Sequence, residues 1–176
     1  LKKGQKFILD TNSALGDDKR VNFPHYEIYD HLTPNSTLLI NDGRIRLQVI
    51  EQYKDQLITE VLNDGVISNN KGVNIPDVIL PIDSMTTKDR ADLQKALDMN
   101  VDWVALSFVQ QAEDIIKLKK IVDGKAMIMA KIEKPSAVKN IDEIIKVADG
   151  IMIARGDLGV EMPTERVPIV QKNIIK

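Results

Sequence analysis

Three short apolar segments recur at intervals of 24 residues in the second part of the sequence, beginning near Trp103, Met127 and Ile151. Each segment is followed by an amphipathic stretch. Continuous apolar strands separated by helices are typical of a parallel sheet, because parallel strands require a long crossover connection. The recurrence therefore predicts an α/β architecture of repeated strand–helix units.

The amphipathic stretches have the periodicity of helices that pack on a sheet. In residues 111–122, one helical face carries Ile115, Leu118 and Val122. In residues 136–148, one face carries Ala137, Ile141, Ile144 and Ala148. Both stretches are predicted to be helices with this apolar face against the sheet.

Polar residues cluster where the predicted strands end. Ser107 ends the first strand, Lys131 and Glu133 end the second, and Arg155 and Asp157 end the third. In (β/α)8 barrels this edge holds the active site, so we favour a partial barrel. An open doubly wound sheet has a related crevice, and this alternative remains open.

The first part of the sequence has a different pattern, with short alternating segments separated by turns. These segments cover residues 5–9, 37–40, 44–50 and 56–62. Asp42-Gly43 lies between two of them and predicts a tight hairpin. We therefore expect a small all-β domain over residues 1–72 and a barrel part over residues 73–176.

Composition excludes several classes of function. The 24 basic and 26 acidic residues are interspersed, which argues against binding to nucleic acid. The absence of Cys excludes disulfides and favours a cytoplasmic protein. No apolar run approaches the roughly 20 residues of a membrane span. Both ends look incomplete, since the sequence lacks an initiator Met and ends within a helical pattern.

Two carboxylates form the core of the candidate site. Glu133 and Asp157 are separated by 24 residues, and we expect them at equal heights on adjacent strands about 4.8 Å apart. Such a pair calls for a hard divalent cation, and oxygen ligands favour Mg²⁺. The alternative is that Glu133 pairs with Lys131 or Arg155 and that Asp157 begins a turn.

Two further residues suit the chemistry of an anionic substrate. Lys131 lies two residues before Glu133 on the same strand face, where its ammonium can stabilise charge in phosphoryl transfer or enolate chemistry. An ordinary ion-paired lysine is the alternative. Gly156 allows close approach of the backbone, so that its N–H and that of Asp157 can bind a carboxylate or phosphate.

The motifs around these residues resemble those of pyruvate kinase. They are Met129-Ala130-Lys131-Ile132-Glu133 and, further on, the run DGIMIARGDLGVE at residues 149–161. Asn41-Asp42-Gly43 is similar to the hairpin of that family's lid domain. Residues 71–76 resemble its return from lid to barrel, and residues 106–109 resemble a barrel strand end.

The resemblance implies a partial (β/α)8 TIM barrel with a small all-β lid domain inserted at its N-terminal side. It implies phosphoryl transfer from phosphoenolpyruvate to ADP, giving pyruvate and ATP in glycolysis. Lys131 then stabilises charge on the phosphoryl group, and Glu133 and Asp157 bind Mg²⁺. Lys131, Gly156 and Asp157 contact phosphoenolpyruvate or pyruvate, while Lys71 reaches the nucleotide phosphates.

The same resemblance implies K⁺ as a second cofactor, with ligands outside this chain, and a homotetramer for the full enzyme. The isolated chain is expected to be inactive. Gln110 and Asn70 depart from the basic residues that many or some family members have there. Two alternatives remain: a Mg²⁺-dependent oxo-acid lyase or aldolase on a related barrel, and a non-catalytic remnant.

Overall fold

Two kinds of sheet organise the chain. The computed structural model describes residues 1–76, 78 and 85–176. The chain divides into two compact units, Leu1–Ile82 and Asp83–Lys176. This division falls further along the chain than the boundary predicted at residues 72 and 73.

The first unit is built on one six-stranded sheet with the order β2-β1-β5-β4-β3-β6. The strands are β1 (Lys6–Asp10), β2 (Arg20–Asn22), β3 (Thr37–Ile40), β4 (Ile45–Gln52), β5 (Gln56–Val61) and β6 (Val73–Asn74). One short helix, α1 (Tyr26–Tyr29), interrupts them. β1 and β2 pair in parallel, and the other pairs are antiparallel.

The hairpin predicted at Asp42-Gly43 is confirmed. β3 and β4 pair from Ile40↔Ile45 outward, and the four residues between them form the turn. Asn41, Asp42 and Gly43 all have positive φ there, which these residue types tolerate better than others. Alternation along β4 buries Ile45, Leu47 and Val49 in the core of the unit, as expected for a strand with one solvated face.

The second unit contains a three-stranded parallel sheet with the order β7-β8-β9. Its strands are β7 (Trp103–Leu106), β8 (Met127–Ile132) and β9 (Gly150–Ile153). Its helices are α2 (Thr87–Asp98), α3 (Ala112–Val122), α4 (Pro135–Lys139), α5 (Ile141–Val147), α6 (Arg155–Glu161) and α7 (Val167–Ile175), with a 3-10 turn at Thr164–Arg166 before α7. The α/β architecture predicted from the 24-residue recurrence is therefore observed.

Helix α3 packs as the periodicity predicts. Ile115, Leu118 and Val122 are fully buried and belong to the same apolar cluster as Ile128 and Ala130 of β8. The helix begins with a capping box in which Gln111 and Asp114 satisfy each other's backbone N–H groups. One face of the sheet is thus covered by helix.

The second amphipathic stretch differs from the prediction, because it forms two short helices rather than one. α4 ends at Lys139, and Asn140 leaves the helical conformation with φ −101° and ψ 18°. The Asn140 side chain donates to the carbonyl of Gln110 at 2.9 Å. Ala137 and Ile144 remain fully buried on the two sides of this break.

The opposite face of the parallel sheet is more open. Trp103, Met127 and Met152 are between 40% and 46% exposed, whereas Ile128 and Ile132, which alternate with Met127 along β8, are buried.

None of the helices in the described part of the chain combines the length and apolar character that a membrane crossing requires.

Candidate functional site

Lys131 lies at the centre of a polar cluster at the carboxyl ends of β7 and β8. Leu106 pairs with Ala130, which brings Ser107 beside Lys131. The Lys131 ammonium donates to the Ser107 hydroxyl at 2.8 Å and lies 2.6 Å from the Oε1 atom of Glu133. The structure therefore brings together three of the polar residues predicted at strand ends.

Glu133 is held from two sides. Its Oε1 atom faces Lys131, and its Oε2 atom accepts a hydrogen bond of 2.6 Å from the backbone N–H of Phe108. The Glu133 side chain is 1% exposed, whereas that of Lys131 is 25% exposed. The carboxylate is thus fixed below the surface, and the ammonium retains access to a ligand.

Phe108 has a backbone conformation that sequence reasoning did not foresee. Its φ is 54°, an unusual value for a bulky residue, which costs on the order of 1–3 kcal/mol. Nothing in its residue type signals this conformation. In the structure, the residue donates its backbone N–H to Glu133, so the strain coincides with the fixing of this carboxylate.

The ion pair between Glu133 and Lys131 is the contact that the alternative interpretation of these residues predicts. It does not exclude a metal ligand, because each carboxylate oxygen has two lone pairs and the two observed partners leave further acceptor capacity. Burial of a charge pair is a poor source of stability, since desolvation offsets the attraction. The arrangement is therefore better suited to holding charges in place for a ligand.

Asp157 does not lie at the end of a strand, and this prediction was wrong. β9 ends at Ile153, while Gly156 and Asp157 belong to the first turn of α6. The offset between paired residues is 24 from β7 to β8, as between Leu106 and Ala130, but 21 from β8 to β9, as between Met129 and Gly150. Equal heights for Glu133 and Asp157 on adjacent strands therefore do not follow from the repeat.

In its observed position, Asp157 is still able to contact a ligand. Its side chain is exposed at the amino end of α6. The first N–H groups of a helix have no acceptor within the helix, so those of Gly156 and Asp157 suit an anionic group. Arg155, also predicted at a strand end, is the first residue of this helix.

Lys71 belongs to the first unit and is exposed. It precedes Gly72, whose carbonyl accepts from the N–H of Asn41 at 3.0 Å. Lys71 thus lies beside the hairpin turn between β3 and β4. Its role toward a nucleotide stays a prediction.

The donor set suits a hard cation that needs few protein ligands. Among residues 1–76, 78 and 85–176, no cluster of three or more His, Cys, Asp or Glu side chains has the arrangement of a metal site. Mg²⁺ is commonly held by one or two carboxylates, with waters and substrate oxygens completing its shell. Glu133 and Asp157 supply the two carboxylates that such a site would use, and their role as ligands stays a prediction.

At the other end of the sheet, Asp149 makes a similar set of contacts. Its carboxylate accepts from the Lys119 ammonium at 2.9 Å and from the N–H of Ile128 at 2.8 Å. These hydrogen bonds, that of Lys119 first, hold the pKa of Asp149 below its ordinary value of 3.8. Its side chain is 34% exposed.

The parallel sheet with charged residues beyond its carboxyl edge has the organisation of α/β enzymes, in which ligands bind at that edge. A family model described as the barrel domain of pyruvate kinase matches residues 1–176. The chain therefore belongs to the pyruvate kinase family.

Individual relatives agree with this assignment. Pyruvate kinase of Methylorubrum extorquens is 51% identical over 176 residues, which are all of this chain and 37% of that protein. Pyruvate kinase of Clostridium perfringens is 43% identical and is matched over 38% of its length. The crystal structure of a pyruvate kinase from Cryptosporidium parvum superposes with a TM-score of 0.93 at 35% identity, covering 99% of this chain and 38% of the other.

Proposed function

We propose that this chain is part of a pyruvate kinase that transfers a phosphoryl group from phosphoenolpyruvate to ADP, giving pyruvate and ATP in glycolysis. The observation that carries the proposal is the cluster of Ser107, Lys131 and Glu133 at the carboxyl edge of the sheet, in a chain that matches this family throughout. The corresponding fold is a partial (β/α)8 barrel over residues 73–176 with an all-β lid domain over residues 1–72.

Lys131 is the residue that acts on the transferring group. Its ammonium is held by Ser107 and Glu133, so little rearrangement is needed when negative charge gathers on the phosphoryl oxygens. Phosphoryl transfer depends on positioning and charge stabilisation more than on covalent chemistry by the protein. A fixed, partly exposed ammonium meets that requirement.

Glu133 and Asp157 are the proposed protein ligands of Mg²⁺. When bound, the cation supplies positive charge that neutralises phosphate and carboxylate oxygens. Glu133 contributes a carboxylate fixed by the N–H of Phe108, while Asp157 contributes an exposed carboxylate on α6. K⁺ is proposed as a second cofactor on the basis of family resemblance alone.

The remaining contacts concern the substrates. The backbone N–H groups of Gly156 and Asp157, in the first turn of α6, are proposed to bind the carboxylate of phosphoenolpyruvate or pyruvate. Lys71 is proposed to contact the phosphates of ADP or ATP. A homotetramer and a cytoplasmic location are proposed for the whole protein from family resemblance.

The two alternative functions have weaker support. A lyase or aldolase on a related barrel does not account for a pyruvate kinase match that includes the β unit. A non-catalytic remnant does not account for the joint retention of Lys131, Glu133 and the contacts that fix them.

A segment exchange tests the proposal. The alignment with the Methylorubrum extorquens enzyme covers 176 residues, so that segment can be replaced by this chain. We expect the chimera to form ATP from phosphoenolpyruvate and ADP, and the same chimera with Lys131→Met to lose most of this activity. A folded chimera without activity, or one insensitive to Lys131→Met, contradicts the proposal.

A further inference from the structure

A second lysine–carboxylate pair lies next to the proposed metal site. Lys134 directly follows Glu133, and its ammonium lies 3.2 Å from each carboxylate oxygen of Glu161. Their side chains are 6% and 1% exposed. Both charges are therefore almost completely removed from water.

The pair joins the two segments that carry Glu133 and Asp157. Lys134 lies two residues beyond the end of β8, has an extended backbone and directly precedes α4. Glu161 is the last residue of α6 and follows Asp157 by four positions, which places the two on the same helical face one turn apart. The contact between Lys134 and Glu161 thus links the residue after Glu133 to the helix that carries Asp157.

Stability alone is a poor explanation for this contact. Replacing a buried ion pair by apolar side chains of similar volume is often neutral or stabilising, whereas removing one partner is strongly destabilising. What a buried pair does provide is a fixed geometry between two segments. Mg²⁺ requires nearly ideal octahedral geometry with oxygens at about 2.1 Å, so small displacements of a ligand weaken binding.

We propose that Lys134 and Glu161 are positioning residues that set the separation between Glu133 and Asp157, and thereby the affinity of the site for its divalent cation. This inference rests on the proposed function, which assigns Mg²⁺ to these two carboxylates. Neither Lys134 nor Glu161 contacts the cation in this account. Their effect is transmitted through the strand end and through α6.

A double substitution distinguishes an effect on the geometry of the metal site from an effect on the stability of the protein. Binding of Mn²⁺, which replaces Mg²⁺ as a spectroscopic probe, is followed by electron paramagnetic resonance in the full-length protein. Lys134→Met and Glu161→Met are made singly and together, and urea unfolding is measured for each. Lys134→Arg retains the charge, and Lys88→Met removes the exposed lysine paired with Asp92 as a matched control.

We expect each single substitution to lower the unfolding midpoint and to weaken Mn²⁺ binding by about tenfold, the lower range for changes to residues around a metal site. The double variant should regain the unfolding midpoint but keep the weakened binding. Lys134→Arg, which keeps the charge with a larger head group, should weaken Mn²⁺ binding less than Lys134→Met, and Lys88→Met should bind Mn²⁺ like the wild type. Wild-type affinity in the double variant overturns the inference.

Glu133→Gln distinguishes failure of this inference from failure of the proposed function. If Glu133→Gln weakens Mn²⁺ binding while the double variant does not, the metal site stands and the positioning role falls. If Glu133→Gln itself binds Mn²⁺ like the wild type, the assignment of the metal site is overturned and the positioning role with it.

Discussion

The two ends of the parallel sheet use the same chemistry in different surroundings. At the amino end, Asp149 accepts from the N–H of Ile128 and from Lys119. At the carboxyl end, Glu133 accepts from the N–H of Phe108 and pairs with Lys131. The Asp149 side chain is 34% exposed, while that of Glu133 is 1% exposed.

This difference in burial separates a structural contact from a candidate functional one. An exposed ion pair contributes at most about 1 kcal/mol and tolerates replacement. A buried carboxylate requires compensation from several partners, and at the carboxyl end one of these is the strained residue Phe108. The functional proposal rests on these contacts of Glu133, because burial and backbone strain oppose them and because they lie at the edge of the sheet where α/β enzymes bind ligands.

The turnover predictions concern the full-length protein, and the largest effect is expected there from Lys131→Met, which removes the charge at the carboxyl end but keeps much of the side-chain volume. We expect the turnover number to fall by about 10³-fold, because one preorganised charge on the transition state is lost. Binding of phosphoenolpyruvate should change far less, since that charge develops mainly during transfer. Steady-state kinetics and equilibrium binding measure both, and equal losses would contradict this role.

A smaller effect is expected from Ser107→Ala, which removes the hydroxyl that accepts from Lys131. Lys131 keeps its pairing with Glu133, so we expect a loss of about tenfold in turnover number, near the lower range for a hydrogen bond to a charged group. Ser107→Thr keeps a hydroxyl and serves as the control. Turnover unchanged in Ser107→Ala would show that Glu133 alone positions Lys131.

The smallest effect is expected at the amino end from Asp149→Asn. Turnover should not change, and the free energy of unfolding should fall by less than about 1 kcal/mol at neutral pH. The pKa of Asp149 is lowered by folding, so its contribution is complete above the unfolded value of 3.8 and is lost as the pH falls below it.

Urea unfolding of the wild type and of Asp149→Asn at a series of pH values checks the predicted direction of this pH dependence. The stability difference should shrink as the pH falls below 3.8. A stability difference that grows as the pH falls would contradict the predicted pH dependence. A large loss of turnover in Asp149→Asn would remove the contrast between the two ends of the sheet.

Local sequence patterns were sufficient to predict much of the fold. The alternation along β4 and the apolar face of α3 follow from the backbone geometry of a strand and a helix, and both are confirmed. The position of Lys131 beside Ser107 follows from the same strand geometry and from the 24-residue offset between β7 and β8. These features depend on residues close together in the sequence or on a single 24-residue repeat.

Features that depend on packing were not predicted. The offset between β8 and β9 is 21 residues, and the crossover between these strands contains two short helices whose break at Asn140 has no periodic signal. Asp157 was expected at the end of a strand and lies in the first turn of a helix. The short strands β2 and β6 contain too few residues to show alternation. The contact of Lys134 with Glu161 joins residues 27 positions apart.

Metal binding by matched variants from the two ends of the sheet tests the central claim most directly. Mn²⁺ is titrated into the full-length wild type, Glu133→Gln and Asp149→Asn. Gln retains an oxygen toward the N–H of Phe108, and the partly exposed Lys131 can turn to water, so folding should remain near normal. We predict that Glu133→Gln weakens binding by more than about tenfold and that Asp149→Asn leaves it unchanged. Wild-type affinity in Glu133→Gln would contradict the account.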